Sequence, residues 1–344
     1  MRRSATPTTE ARDVVIARNM GLDILKGLLV VAMILYHWLN YFVSREGEFY
    51  RYIRFVTPSF VFMAGFLITN IYPAKYRIGD RDLHVRLVLR GLRLLAVFTG
   101  LNIAVGMALE RNYNGVELGL ARFIAVAPTV YSIGGARGAV FEVLVSIAYI
   151  LIASSAILLL MRLHRHLIFA LWLILFIVIL CLRSDGITSA NLELFSMGLL
   201  GMAFGVVRLE TLDRVTRPVS VWVCIYAVYL VVLNFVDQTY EVQVVGLVLT
   251  MTLLYILAAR MNRIPFLFDK LRLLGQYSLL AYIAQIAVLQ VLVRAMRDLQ
   301  DQRIVYCSLS LVAALVLTFV VSNVTDVARH AWSTVDRVYR LVFA

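Results

Sequence analysis

Apolar runs about twenty residues long, separated by short polar or basic stretches, recur along the whole chain. A hydrocarbon core takes about 20 helical residues to cross. On that measure the runs predict ten membrane-spanning helices, near 22–42, 55–72, 88–109, 139–161, 167–182, 192–209, 219–236, 242–259, 276–293 and 304–322. The expected fold class is therefore all-α and polytopic, and an even number of spans returns both termini to one side. Residues 1–17 are polar and read as a flexible tail. Residues 18–327 read as one integral membrane domain and 328–344 as a short segment on the tail's side.

The first run, GLDILKGLLVVAMILYHWLNYF, breaks its own pattern. It carries Asp23, Lys26, His37 and Asn40, and ionisable groups inside a bilayer are costly enough to suggest a function. At about 100° per residue, Lys26 and His37 fall within roughly 20° of one another, with Asp23 and Asn40 within about 60° of that line. The rise from Lys26 to His37 is roughly 16 Å, so one polar track joins an edge of the bilayer to its interior.

Other spans carry their own polar positions. Ala64 and Gly65 bring small residues to the middle of the second span, which suits close helix packing better than a ligand. Arg86, Arg90 and Arg93 follow an i, i+4, i+7 spacing at the start of the third span. That face could hold phosphates, or simply mark the cytoplasmic boundary against anionic lipid. Glu142, near the outer end of the fourth span, is expected at the depth of His37, where an acid would orient an imidazole and raise its basicity. The alternative is a carboxylate at a helix mouth. In the ninth span Ser278, Tyr282 and Gln285 recur at spacings of four and three and form a second polar stripe. Hydrogen bonding between helices explains that stripe as well as a substrate path does.

Composition agrees with the pattern. Hydrophobic residues make up 61% of the 344 and charged residues 16%, where soluble domains average nearly half and about a quarter. No stretch is left for a separate soluble domain. The net charge of +12 raises the question of nucleic acid, but the basic residues sort by side. Of the 33 Lys and Arg, 22 fall on the side of the termini, 10 on the other, and Lys26 lies within a span. That bias places both termini in the cytoplasm and leaves no charge needing a nucleic-acid partner. Cys181, Cys224 and Cys307 lack metal-ligand spacing and read as packing residues, and no metal site is expected, His164 and His166 included.

Four segments in order carry a resemblance. The opening Leu22-Asp23, then Lys26-Gly27 and His37 eleven positions after Lys26, resembles the start of the type-3 membrane acyltransferases and their wider relatives, the heparan glucosaminide acetyltransferases. Lys26 stands where the family usually has Arg. SFVFMAGFLI is similar to the family's F-F-x-x-S-G-F, with Ala64 where Ser is common. VRLVLRGLRLLAVF is similar to its Arg-rich third span, and LLGQYSLLAYIAQ to its L-G-x-x-S-x-x-x-Y-x-x-H, with Gln285 where His is frequent. The likeness covers about residues 22–293.

That resemblance implies an enzyme of a bacterial inner membrane, one that transfers an acyl group, often acetyl, from cytoplasmic acyl-CoA. The acceptor is a hydroxyl of a carbohydrate or glycolipid at or beyond the outer face. It implies His37 as the catalytic residue, as general base or as an acyl carrier. Lys26, Arg86, Arg90 and Arg93 would bind the donor, and Asp23, Asn40, Ser278, Tyr282 and Gln285 would line its passage. Membrane lipids are the other expected partners; the oligomeric state stays open. The rival classes are a flippase for a lipid-linked sugar and a non-catalytic membrane subunit of a polysaccharide-secretion assembly; no internal repeat favours the flippase.

Overall fold

The computed structural model describes residues 9–44, 49–76, 79–108, 112–113, 116–117, 120–136, 139–237, 239–261, 265–299 and 301–343, with side chains from residue 21 onward outside residues 74–75, 108–117 and 265–266. In chain order its helices are α1 (Thr9–Trp38), α2 (Tyr50–Ile53), α3 (Val56–Asn70), α4 (Tyr72–Lys75), α5 (Arg81–Ala108), α6 (Leu120–Ser132), α7 (Val143–Met161) and α8 (Leu167–Ser184). There follow α9 (Ala190–Val206), α10 (Leu209–Thr216), α11 (Val219–Val232), α12 (Tyr240–Arg260), α13 (Pro265–Gln276), α14 (Ser278–Ala295), α15 (Arg303–Ala331) and α16 (Ser333–Phe343). Among the described residues the only β structure is a two-residue antiparallel pair, Asn112–Tyr113 with Val116–Glu117. Helices dominate because hydrocarbon offers the backbone no partner, and a helix satisfies its own amides and carbonyls.

Among the described residues eight helices are long and apolar enough to cross a membrane: Gly21–Val43, Tyr50–Asn70, Arg81–Met107, Val143–Met161, Leu167–Ser184, Tyr240–Arg260, Ser278–Ala295 and Arg303–Ala331. The remaining two of the ten expected runs behave differently. Near 192–209 the helix stops at Val206 and the pair α9–α10 bends by 96°, which makes a ninth span only if the bent pair counts as one. Near 219–236 the helix ends at Val232. Its 14 residues rise about 21 Å, short of a hydrocarbon core about 30 Å thick. Hydropathy registers an apolar run without registering where the helix within it stops. The converse holds at the ends, where α1 begins at Thr9, inside the expected tail, and α15 runs on to Ala331.

The chain divides into two units, Met1–Val56 with Pro218–Phe343, and Thr57–Arg217 with Ala344. In the first, α1 packs against α12, α13, α14 and α15, while α14 and α15 form an antiparallel hairpin. The crossing of α1 and α13 is held by two glycines. A Cβ on Gly27 would overlap the backbone of Leu271, and one on Gly275 the carbonyl of Asp23. Only glycine lets the two backbones approach this closely. The short α2 is tied to the end of α11 by Arg51, whose guanidinium donates to the Leu233 carbonyl at 3.0 Å.

In the second unit α5 packs on α7, and α9 packs on α7 and α8. Helix α3 lies against the glycine-bearing face of α9, and the Thr69 hydroxyl donates to the Met202 carbonyl at 2.7 Å. That explains Gly65, whose place is taken up by the backbone of Gly198, in favour of packing. Helix α8 turns Leu173, Ile174, Ile177 and Val178 outward, as a helix facing acyl chains does. Cys181 and Cys224 are exposed, so of the three cysteines only Cys307 fits the packing reading, its thiol 3.6 Å from the Phe42 carbonyl.

Candidate active site

Helix α1 sets out the first polar groups. Midway along it Lys26 Nζ and Asp23 Oδ1 pair at 2.5 Å, each side chain about one-fifth exposed (21% and 22%). The lysine expected to meet a donor thus already has a carboxylate, beside the Gly27–Gly275 crossing. Three turns on, the His37 ring is half-buried, edge-on to Tyr36 at 5.2 Å and tilted against Tyr282 of α14 at 6.4 Å between centroids. Among the described residues neither of its ring nitrogens takes part in a hydrogen bond. Tyr36 in turn packs edge-on against Tyr50 at 5.6 Å and is hydrogen-bonded to Asn40.

Directly after Trp38 the helix widens into a π-turn over Leu39–Val43. Such turns shift the register of the side chains that follow and are common at functional sites. WLNYFV contains no Gly or Pro to announce it. The Trp38 indole N–H donates to the Ser310 hydroxyl at 2.9 Å and fixes this end of α1 to α15.

Helix α14 supplies the second stripe. Ser278 is its first residue, while Tyr282 and Gln285 are buried on one face. Gln285 is 0% exposed, and among the described residues neither its amide nitrogen nor its oxygen has a hydrogen-bond partner. The structure therefore brings together His37, Tyr282 and, one turn further, Gln285.

The remaining expected residues lie in the second unit. Arg86, Arg90 and Arg93 are exposed along α5. Arg86 stacks 5.2 Å from the Tyr76 ring, and Arg90 donates to the Tyr72 hydroxyl. Arg162 joins this face, close enough to Gly79 that a Cβ there would touch the guanidinium at 3.0 Å. Aromatic rings and a phenol hold these cations without neutralising them, so they remain able to bind an anion. Glu142 accepts from the Gly135 amide at 2.9 Å and from that of Ala136. In the same loop Asn102 exchanges two bonds with the backbone of Val140 at 2.8 and 2.9 Å. The partners of Glu142 in this structure are thus loop amides of its own unit.

One polar cluster has no counterpart among the expected residues. The Tyr277 hydroxyl donates to Asp326 Oδ1 at 2.6 Å and accepts from Arg329 at 3.0 Å. Arg329 also donates to Asp336 Oδ1 at 2.9 and 2.7 Å and lies 3.9 Å over the Tyr339 ring. Hydrogen bonds from Arg329 and Arg340 hold the Asp336 carboxyl below the usual carboxylate range. The sequence signal was present in the D-x-x-R of α15 and the D-x-x-x-R of α16, but charges beyond the last span read as topology.

Residues 19–323 match a family described as an acyltransferase domain. No curated protein and no solved structure matches the chain.

Proposed function

We propose a reaction from one premise: this chain belongs to the type-3 acyltransferase family, whose domain covers residues 19–323. It is an integral membrane acyltransferase that takes an acyl group, acetyl in the simplest case, from cytoplasmic acyl-CoA and delivers it to a hydroxyl of an extracytoplasmic or lipid-linked glycan. Both termini are assigned to the cytoplasm on the 22-to-10 distribution of basic residues, and the protein to a bacterial inner membrane on the family resemblance.

The observation that carries the reading is His37, an imidazole within a membrane span whose nitrogens have no hydrogen-bond partner among the described residues, set against Tyr282. A neutral imidazole can accept a proton. In the proposed step it takes the proton of the acceptor hydroxyl as that oxygen attacks the thioester carbonyl. The carbon–sulfur bond then breaks, and the imidazolium returns the proton to the departing CoA thiolate. Arg86, Arg90, Arg93 and Lys26 are assigned to the donor's phosphates, and Asp23, Asn40, Ser278, Tyr282 and Gln285 to its path. Glu142, which accepts from the Gly135 and Ala136 amides, enters as the acid that orients His37.

The test is His37→Ala in the purified protein with radiolabelled acetyl-CoA and the host's glycolipid fraction. Loss of transfer with unchanged expression and melting supports the assignment. Retention of a tenth of the wild-type rate overturns it.

A further inference from the structure

We propose that Gln285 and Thr318 form a neutral subsite, inside the first unit, for a secondary amide of the donor's pantetheine arm; the inference rests on the acyl-CoA reading above. Thr318 is 0% exposed, and its hydroxyl, like both polar atoms of Gln285, has no partner among the described residues. This departs from the chain's own habit. Thr99, Thr216, Thr252 and Thr325 each donate to the carbonyl four residues back, at 2.7 to 2.8 Å, as helical threonines do.

The two orphaned groups share one level. Tyr277 and Asp326 are joined at one end of the antiparallel α14–α15 pair. Gln285 lies eight residues beyond Tyr277 and Thr318 eight before Asp326, so each is about 12 Å along its helix from that bond. They also share one direction. Thr318 belongs to the buried stripe Tyr306, Ser310, Ala314, Thr318 and Ser322, and Ser310 on that stripe meets Trp38 of α1. Gln285 follows Tyr282 by one turn, and Tyr282 meets His37 of α1. Both groups therefore face the space bounded by α1, α14 and α15.

A carboxamide left without partners in a membrane interior is costly, so the unliganded site is incomplete. The chemistry of the pair selects the occupant. A carboxamide and a hydroxyl are uncharged, and each both donates and accepts. A phosphate would call for a cation, whereas a trans secondary amide, whose N–H and carbonyl point opposite ways, offers one partner to each of two uncharged groups such as Gln285 and Thr318. The pantetheine arm carries two such amides.

Gln285→Met and Thr318→Val keep volume and remove the polar atoms. Full-length protein in detergent is titrated with CoA and with adenosine 3′,5′-bisphosphate, which has phosphates and base but no amide. In both variants the CoA dissociation constant should rise about tenfold, the effect of one buried hydrogen bond. That for the bisphosphate should stay within about twofold, the difference an arm contact alone requires. Both unliganded variants should melt at or above the wild-type temperature. Unchanged CoA binding, equal weakening of both probes, or an acceptor KM that alone rises overturns the subsite, the last assigning it to acceptor hydroxyls. A lower melting temperature overturns it too, as the sign of a group satisfied within the free protein. Wild-type protein that binds neither probe refutes the donor reading itself, a result distinct from these.

Discussion

One end and the middle of the α14–α15 pair make opposite use of buried polar groups. Around Tyr277 every group is answered by another: hydroxyl by Asp326, guanidinium by Asp336 and by the Tyr339 ring. About 12 Å further along the same two helices, Gln285 and Thr318 are fully buried and answered by nothing among the described residues. A satisfied cluster of this kind ties elements together, here α14, α15 and α16, and gains nothing from a ligand. An unsatisfied one is left poised for a ligand, because the cost of its burial is recovered only when a partner arrives. The difference sets a structural cluster beside the subsite proposed above within one helix pair.

His37→Ala gives the largest expected effect and should fall wholly on function. Removing a general base costs about a thousandfold in transfer rate, roughly 4 kcal/mol of barrier, with melting unchanged. Gly27→Ala does the reverse. Its methyl meets the α13 backbone and should destabilise the first unit by about 3 kcal/mol, read as a lower melting temperature in detergent. Arg329→Ala leaves Asp336 and Tyr277 without their shared donor, a loss of about 2 kcal/mol. The KM for donor and for acceptor should both stay at wild-type values, which is what distinguishes the closed end from the open middle. Charge reversal at Arg86 and Arg90 should raise the donor KM about tenfold, about 1.4 kcal/mol, without changing melting. An unchanged KM returns that face to topology and lipid contact.

Much of the fold could be read directly. Eight of the ten expected runs became helices of spanning length, since apolarity over about twenty residues is a local property that the bilayer enforces. The bend after Val206 and the stop at Val232 fall inside apolar sequence, where hydropathy carries no mark of them. For the site, the shared face of Ser278, Tyr282 and Gln285 follows from helical period alone, and α14 places them so. Thr318 did not stand out, because a lone threonine in an apolar helix ordinarily bonds to its own backbone.

Sequence by itself determined eight apolar segments of spanning length, that Lys26 and His37 share one line on the first helix, and the family's acyl-transfer chemistry. Period and apolarity are written residue by residue, and the family motifs are short. The tertiary structure alone decided that Lys26 pairs with Asp23 and that α1 crosses α13 at two glycines. It also decided that His37 meets Tyr282, and that Gln285 and Thr318 are buried with side-chain polar atoms that have no partner among the described residues. A hydrogen bond between side chains needs two helices brought into register, and that register depends on packing between segments far apart in the chain.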